Sequence, residues 1–168
     1  TLPEAMAEAF LVAGGSAPVL DLGAGTGLLG QALADRGVLP LDGTDISPQM
    51  LAVAEDKQLY RRVFTGDLTA RLPVADGSYH GVISAGTFTT GHVGPEALDE
   101  VLRVARPGAV IGITVNARHW KTADFAAKFA ALSSQITRFE LQDVAIYGAD
   151  AEGVHKDDMA KIALFHKL

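Results

Sequence analysis

Cysteine is absent from the chain. That excludes disulfides, a thiolate zinc site and a cysteine nucleophile. It fits a reducing compartment, and the cytoplasm is the expected location. Long apolar runs are missing too: none approaches the roughly 18 residues that would span a bilayer. The N-terminal stretch carries Glu4 and Glu8, with no basic leader before the short apolar patch Phe10–Ala13, so no signal peptide is read there. Blocks of positive charge are also lacking. The net charge is −6, from 14 Lys and Arg against 20 Asp and Glu, and the only basic groupings are Arg61–Arg62 and the scatter near Arg103–Arg106. A nucleic-acid partner is not expected from that balance, nor a membrane partner from the lack of long apolar runs. No metal-ligating constellation is read. There is no internal repeat and no low-complexity linker, so residues 1–168 read as one domain. The first residue is Thr1, and some chain ahead of it is expected.

What is present is an alternation of short apolar runs with helical patterns, the signature of βαβ units around a mostly parallel sheet. Residues 3–13 read as a lead-in helix broken by Gly14–Gly15. Val19–Leu22 is a buried strand, Leu28–Arg36 a helix stopped by Gly37, and Leu41–Thr44 the next strand. Ser47 offers an N-cap with Pro48 at the first helical position, which starts a helix through about Gln58. Arg62–Thr65, Gly81–Ala85 and Val110–Val115 complete the parallel strands, and Pro95 opens a helix ending before Pro107–Gly108. Phe125, Phe129 and Leu132 give Thr122–Leu132 an apolar helical stripe. Thr137–Ile146 and Lys161–Phe165 are expected to pair as an antiparallel hairpin joined by a polar loop around Gly153.

The strand Val19–Leu22 leads into Gly23-Ala24-Gly25-Thr26-Gly27 and then at once into a helix. Glycines there allow close approach of a ligand, at the carboxyl end of a strand where open α/β sheets bind ligands. Asp45, at the end of the second strand, can accept both hydroxyls of a ribose. Gly25-Thr26-Gly27-Leu28-Leu29-Gly30 also spells G-x-G-x-x-G, so a nicotinamide dinucleotide and an oxidoreductase stay open. Against them, Asp21 lies inside the first strand, where a carboxylate would repel pyrophosphate but suits the ammonium and sulfonium of S-adenosylmethionine. Gly66-Asp67-Leu68 ends the third strand and sets a carboxylate where an adenine amino group can donate.

The segment Val19-Leu20-Asp21-Leu22-Gly23-Ala24-Gly25-Thr26-Gly27 resembles the first motif of the class I S-adenosylmethionine-dependent methyltransferases. The resemblance continues through Asp45–Leu51, Gly66–Leu68, the stretch from Leu72-Pro73 to Ser84, and Leu102–Gly108. Within that family, Gly86–Pro95 is similar to the Williams–Beuren-region methyltransferase-like proteins. The resemblance implies a Rossmann-like, doubly wound seven-stranded sheet with an antiparallel last strand, and S-adenosylmethionine as cofactor. It implies that Asp21 with Gly23, Ala24, Gly25, Thr26 and Gly27 holds the methionine portion and Asp45 the ribose. Ile46, Met50 and Leu68 would flank the adenine, Gly66-Asp67 would meet its amino group, and Ser84, Ala85 and Gly86 would line the methyl-donor side. His92 is the candidate catalytic base, and Phe88, Asn116, Arg118 and Trp120 are the candidate substrate contacts. His80, at the far end of its strand, reads as structural. The family's Asn/Asp-Pro-Pro-aromatic signature is missing at Ser84–Phe88, which leaves a small-molecule O, N or S acceptor or a protein side chain. A non-catalytic protein that only binds the cofactor stays open as well.

Overall fold

The lead-in pattern folds as α1 (Leu2–Val12), started by a capping box in which Thr1 accepts the Glu4 amide and Glu4 reaches back. The computed structural model describes residues 1–89, 93–145 and 159–168. Seven strands form one sheet: β1 (Val19–Leu22), β2 (Leu41–Asp45), β3 (Arg62–Thr65), β4 (Tyr79–Phe88), β5 (Ala105–Asn116), β6 (Ile136–Ala145) and β7 (Met159–Lys167). Their spatial order is β3-β2-β1-β4-β5-β7-β6. All neighbours are parallel except that β7 runs antiparallel to both β5 and β6. The expected tail hairpin is therefore present; its connecting loop around Gly153 lies outside the described residues.

Successive residues of β1 serve opposite layers, as the two-residue strand period requires. Val19 joins α1 and α2 (Leu28–Asp35) through Met6, Phe10, Leu29 and Leu33, whereas Leu20 and Leu22 join α4 (Leu98–Val104) and α6 (Phe125–Ala131). Phe10 is fully buried against Gly15 and Gly81, where a Cβ would stand 2.5 Å from its ring. Burying such a ring contributes about 2–3 kcal/mol. The strand order reverses between β1 and β4, which opens a crevice beyond their carboxyl ends. Among the described residues no helix is long and apolar enough to cross a membrane.

Inside β2, Asp42 is a fully buried carboxylate. It accepts from Arg61 Nε and Nη2 at 3.0 and 2.8 Å, from Arg62 Nε at 3.3 Å and from the Tyr79 hydroxyl at 2.7 Å. Burial alone would raise its pKa, but the hydrogen bonds from Arg61, Tyr79 and Arg62 outweigh it and hold the carboxyl below its ordinary value. A depressed pKa makes this contribution complete above the ordinary carboxylate pKa of about 3.9, and lost as pH falls through the group's own lower value. Asp42→Asn removes the charge from under two half-exposed arginines. It is expected to cost about 2–3 kcal/mol, below the range for a fully enclosed pair because water screens the arginines. A lower urea midpoint with an unchanged slope is the expected readout at pH 7; an unshifted midpoint would contradict this account.

Three segments differ from the sequence expectation, the first being β4, which runs Tyr79–Phe88 where Gly81–Ala85 is expected. The fifth strand starts at Ala105, not Val110, because pairing with β4 holds at Tyr79–Ala105, breaks, and resumes at Gly81–Val110. The interruption takes in Arg106, Pro107 and Gly108, so a proline without an amide sits where no ladder bond is needed. The expected single helix Thr122–Leu132 and the residues just before it are instead two helices, α5 (Ala117–Thr122) and α6. Asn116 caps the first, accepting the amides of Arg118 and His119 at 2.9 and 3.1 Å. Asp124, at φ +55°, breaks the pattern and caps the second through the Ala127 amide.

Candidate functional site

At the carboxyl ends of β1, β2 and β4 lies a cleft of about 420 Å³ lined by Leu22, Gly23, Thr44, Asp45, Ile46, Met50, Gly66, Leu68, Leu72, Gly86, Thr87 and Thr89. The Ser47-Pro48 signal folds as read: Ser47 caps α3 (Pro48–Asp56) through the Met50 amide. This brings Ile46 and Met50 to one lip of the cleft, 71 % and 46 % exposed respectively. Leu72 on the opposite wall is pinned by α4. Its amide donates to Glu100 at 2.5 Å and its carbonyl accepts from Arg103 at 3.1 Å, while Glu100 and Arg103 pair with each other.

Asp45 closes the glycine loop. Its Oδ2 accepts the Gly25 amide at 2.8 Å and its Oδ1 the Ser47 amide at 2.9 Å. A carboxylate offers about four lone-pair sites, so two stay available to a ligand's paired hydroxyls. Beside it, Thr44 Oγ1 is buried and has no hydrogen-bond partner among the described residues. Buried hydroxyls are seldom left so, and this one belongs to a side chain lining the cleft. Two carboxylate sites, an unsatisfied hydroxyl and apolar walls from Ile46, Met50, Leu68 and Leu72 fit a nucleoside. At the rim, Asp67 is exposed and uses Oδ1 for the side chain and amide of Thr69, at 2.5 and 2.9 Å. Those two bonds hold its carboxyl below the usual range.

Not every residue read from the glycine motif faces this cleft. Gly23 does; a Cβ there would stand 1.9 Å from Thr87 Oγ1. Ala24 is buried toward Gly43, and Gly27 turns to Tyr60. Asp21 is 1 % exposed and accepts the Tyr60 hydroxyl at 2.7 Å. Burial pushes its carboxyl up to about 7; the Tyr60 hydrogen bond opposes that rise and nearby Asp45 adds to it. Ser84 is buried and donates to the Leu22 carbonyl at 2.8 Å, so it braces the wall without lining it. Ala85 packs against the apolar cluster that α1 and α2 form with the sheet, and does not line the cleft.

Among the substrate candidates, two corrections are needed. Phe88 is fully buried, edge-on to Phe125 with ring centroids 6.0 Å apart, and belongs to the core. Trp120 stacks on Phe125 and Phe129 at 5.6 and 5.5 Å and lines a separate apolar hollow with Phe139 and Leu141. Asn116 is spent on its cap, and Arg118 is exposed on α5. His92 lies outside the described residues, as does Tyr147, read from sequence as a packing residue. His80 contacts Arg106. Thr44, Leu22, Leu72, Thr87 and Thr89 are cleft residues that sequence reasoning missed. Thr44 had a signal, since it directly precedes Asp45 at the end of a strand; the others lie inside the stretches Val19–Gly27, Leu72–Ser84 and Gly86–Pro95 that carry the resemblance, without being singled out there.

Residues 19–108 match the family described as "Methyltransferase domain". The chain belongs to that family. With it comes the class I S-adenosylmethionine-dependent methyltransferase superfamily and S-adenosylmethionine as cofactor. Methyltransferase-like protein 27 of Homo sapiens is 37 % identical over 100 residues, covering 59 % of this chain and 40 % of the relative. A demethylmenaquinone methyltransferase of Beutenbergia cavernae is 42 % identical over 92 residues, covering 54 % and 37 %. An 18S rRNA (guanine-N(7))-methyltransferase of Bos taurus is 42 % identical over 66 residues, covering 39 % and 23 %. The chain thus spans two fifths or less of these relatives. In fold it is similar to a solved S-adenosylmethionine-dependent methyltransferase of Thermotoga maritima, described as a possible histamine N-methyltransferase. The TM-score is 0.69 at 15 % identity, covering 99 % of this chain and 88 % of that one. The methyltransferase family membership removes the oxidoreductase alternative.

Proposed function

We propose that this protein transfers the methyl group of S-adenosylmethionine to a small-molecule O, N or S acceptor by in-line displacement. The observation that carries the reading is the pairing of Asp45, with two acceptor sites left, and the unpartnered Thr44 hydroxyl in one cleft. Asp45 would accept the ribose hydroxyls. Ile46, Met50, Leu68 and Leu72 would flank the adenine, and the free oxygen of Asp67 would meet its amino group. Gly23 and the loop through Gly27 would run along the methionine portion, above Asp21. Gly86, Thr87 and Thr89 would border the methyl-donor side. When bound, the cofactor supplies an electrophilic methyl on a sulfonium, chemistry that needs no covalent help from a side chain. The cleft's contribution is alignment and exclusion of water, and alignment can supply about 7–11 kcal/mol of the barrier. His92 follows β4 and is the proposed base for an acceptor that arrives protonated; Arg118 is a proposed rim contact.

The small-molecule assignment draws support from the net charge of −6 and from the name of the demethylmenaquinone relative. The rRNA relative points the other way. A sequence-independent grip on a phosphate backbone needs several cations, and Asp45 and Asp67 at the cleft would repel one. Incubation with methyl-tritiated cofactor and cell extract, then separation into low-mass, protein, RNA and DNA fractions, decides the matter. Label is expected in the low-mass fraction. Label in RNA, DNA or protein would overturn the small-molecule acceptor, and no label anywhere would favour a protein that only binds the cofactor.

A further inference from the structure

The Tyr60 side chain sits in a slot that Gly30 and Gly43 leave open and that Gly27 borders. An added Cβ would lie 2.3 Å from its hydroxyl at Gly30, 2.9 Å from its ring at Gly43, and 3.4 Å from its ring at Gly27. These glycines belong to the first turn of α2, to β2 and to the end of the cofactor loop. Gly30 is the informative one, since glycine within a helix costs about 1 kcal/mol against alanine. Here it gives clearance to an aromatic ring, and it accounts for a glycine that the cofactor reading leaves unexplained. From that slot the Tyr60 hydroxyl donates at 2.7 Å to Asp21, buried beneath the Gly23–Gly27 turn. The Gly30 amide faces the same carboxylate and helps to hold its pKa down.

We propose that Tyr60 is a positioning residue for the cofactor loop, its ring the wedge between Gly27, Gly30 and Gly43 and its hydroxyl the anchor of the Asp21 carboxylate. The inference rests on the cofactor lying in the cleft described above. The groups facing Asp21 are the Tyr60 hydroxyl from the segment before β3, the Gly30 amide from α2 and the Asp45 charge from β2. Ionised Asp21 accepts from the Tyr60 hydroxyl and faces the Gly30 amide of α2; neutral Asp21 accepts less well and carries no charge to favour the cofactor's ammonium. Binding therefore strengthens as pH rises through about 7, where burial sets the carboxyl. The Tyr60 hydroxyl pulls that value down, so removing it moves the transition to higher pH.

The test is Tyr60→Phe, with the demethylated cofactor as the calorimetric probe at pH 6 and pH 8, and amide hydrogen exchange of residues 23–31 in the ligand-free protein. The variant is expected to be folded by circular dichroism, to bind about tenfold more weakly at pH 8 and nearly as wild type at pH 6, and to exchange faster at the loop. Equal affinity and exchange in variant and wild type, or equal weakening at both pH values, would overturn the proposal. Should the variant not fold, Asp21→Asn keeps an acceptor for Tyr60 but does not titrate. Its affinity should be independent of pH from 6 to 8, and a slope like wild type's would overturn the proposal equally. Wild type that fails to bind the probe at all would instead sink the cofactor-site reading, and this inference with it.

Discussion

Asp45→Ala is expected to weaken binding of the demethylated cofactor about a hundredfold while circular dichroism stays unchanged. Two charge-assisted hydrogen bonds from ribose hydroxyls contribute about 1.5–3 kcal/mol each, and even the lower figure taken twice gives about 3 kcal/mol, or two decades in Kd. The same substitution frees the Gly25 and Ser47 amides, but the site is only part-buried and water can satisfy them. The loop also stays tied to β2 by the Ala24 amide on the Thr44 carbonyl at 2.9 Å. Asp45→Asn should fall between the two, since the amide oxygen still accepts. Calorimetric titration gives the answer directly, and an unchanged Kd in Asp45→Ala would mean that the ribose lies elsewhere.

Gly23→Ala should be as damaging for a different reason. Its φ of +65° is left-handed, which costs a side-chain-bearing residue about 1–2 kcal/mol. The new methyl would also meet Thr87 Oγ1 at 1.9 Å, Thr87 Cβ at 3.1 Å and its Cγ2 at 3.3 Å. Rotating Thr87 clears its Oγ1 but breaks its bond to the Leu22 carbonyl, and Thr87 Cβ, fixed by the backbone of β4, still stands at 3.1 Å, so the strand must give by a few tenths of an ångström. A loss of about 2–4 kcal/mol in stability and of all measurable cofactor binding is expected. Gly25→Ala is the internal control. Its φ of +56° carries the same strain, but the nearest atom to its Cβ is a carbonyl oxygen 4.0 Å away. It should lose only about 1 kcal/mol. Equal effects at the two positions would show that strain alone, not the close approach of Thr87, governs Gly23.

Features set by local chemistry were readable along the chain. Ser47-Pro48 starts α3, the three carboxylates sit at or beside the ends of β1–β3, and the strand run from Val19 to the tail hairpin follows its apolar pattern. Contacts between distant residues were not. Nothing at Tyr60 announces that its hydroxyl meets Asp21, 39 positions earlier, so an acid taken for part of an open mouth is enclosed under the loop. Thr87 braces Leu22 across 65 positions in the same way. The rim was misread because α5 and α6 are short, and an apolar stripe carries little information over six or seven residues. The capping residues Asn116 and Asp124 were the better signal there. Phe88 was ambiguous from the start: an aromatic just past a strand end suits a substrate wall or a core, and only its contact with Phe125 assigns it to the core.

Cofactor choice is the most direct test of the account. Isothermal titration of the wild-type protein with S-adenosylmethionine, its demethylated product, NAD and NADP puts the two chemistries against one cleft. Saturable binding of the first two is expected, with no heat from either dinucleotide, since Asp21, Asp45 and Asp67 surround the loop and no described lining residue of the cleft is cationic. Binding of NAD at comparable affinity, with no response to the sulfonium compound, would contradict it.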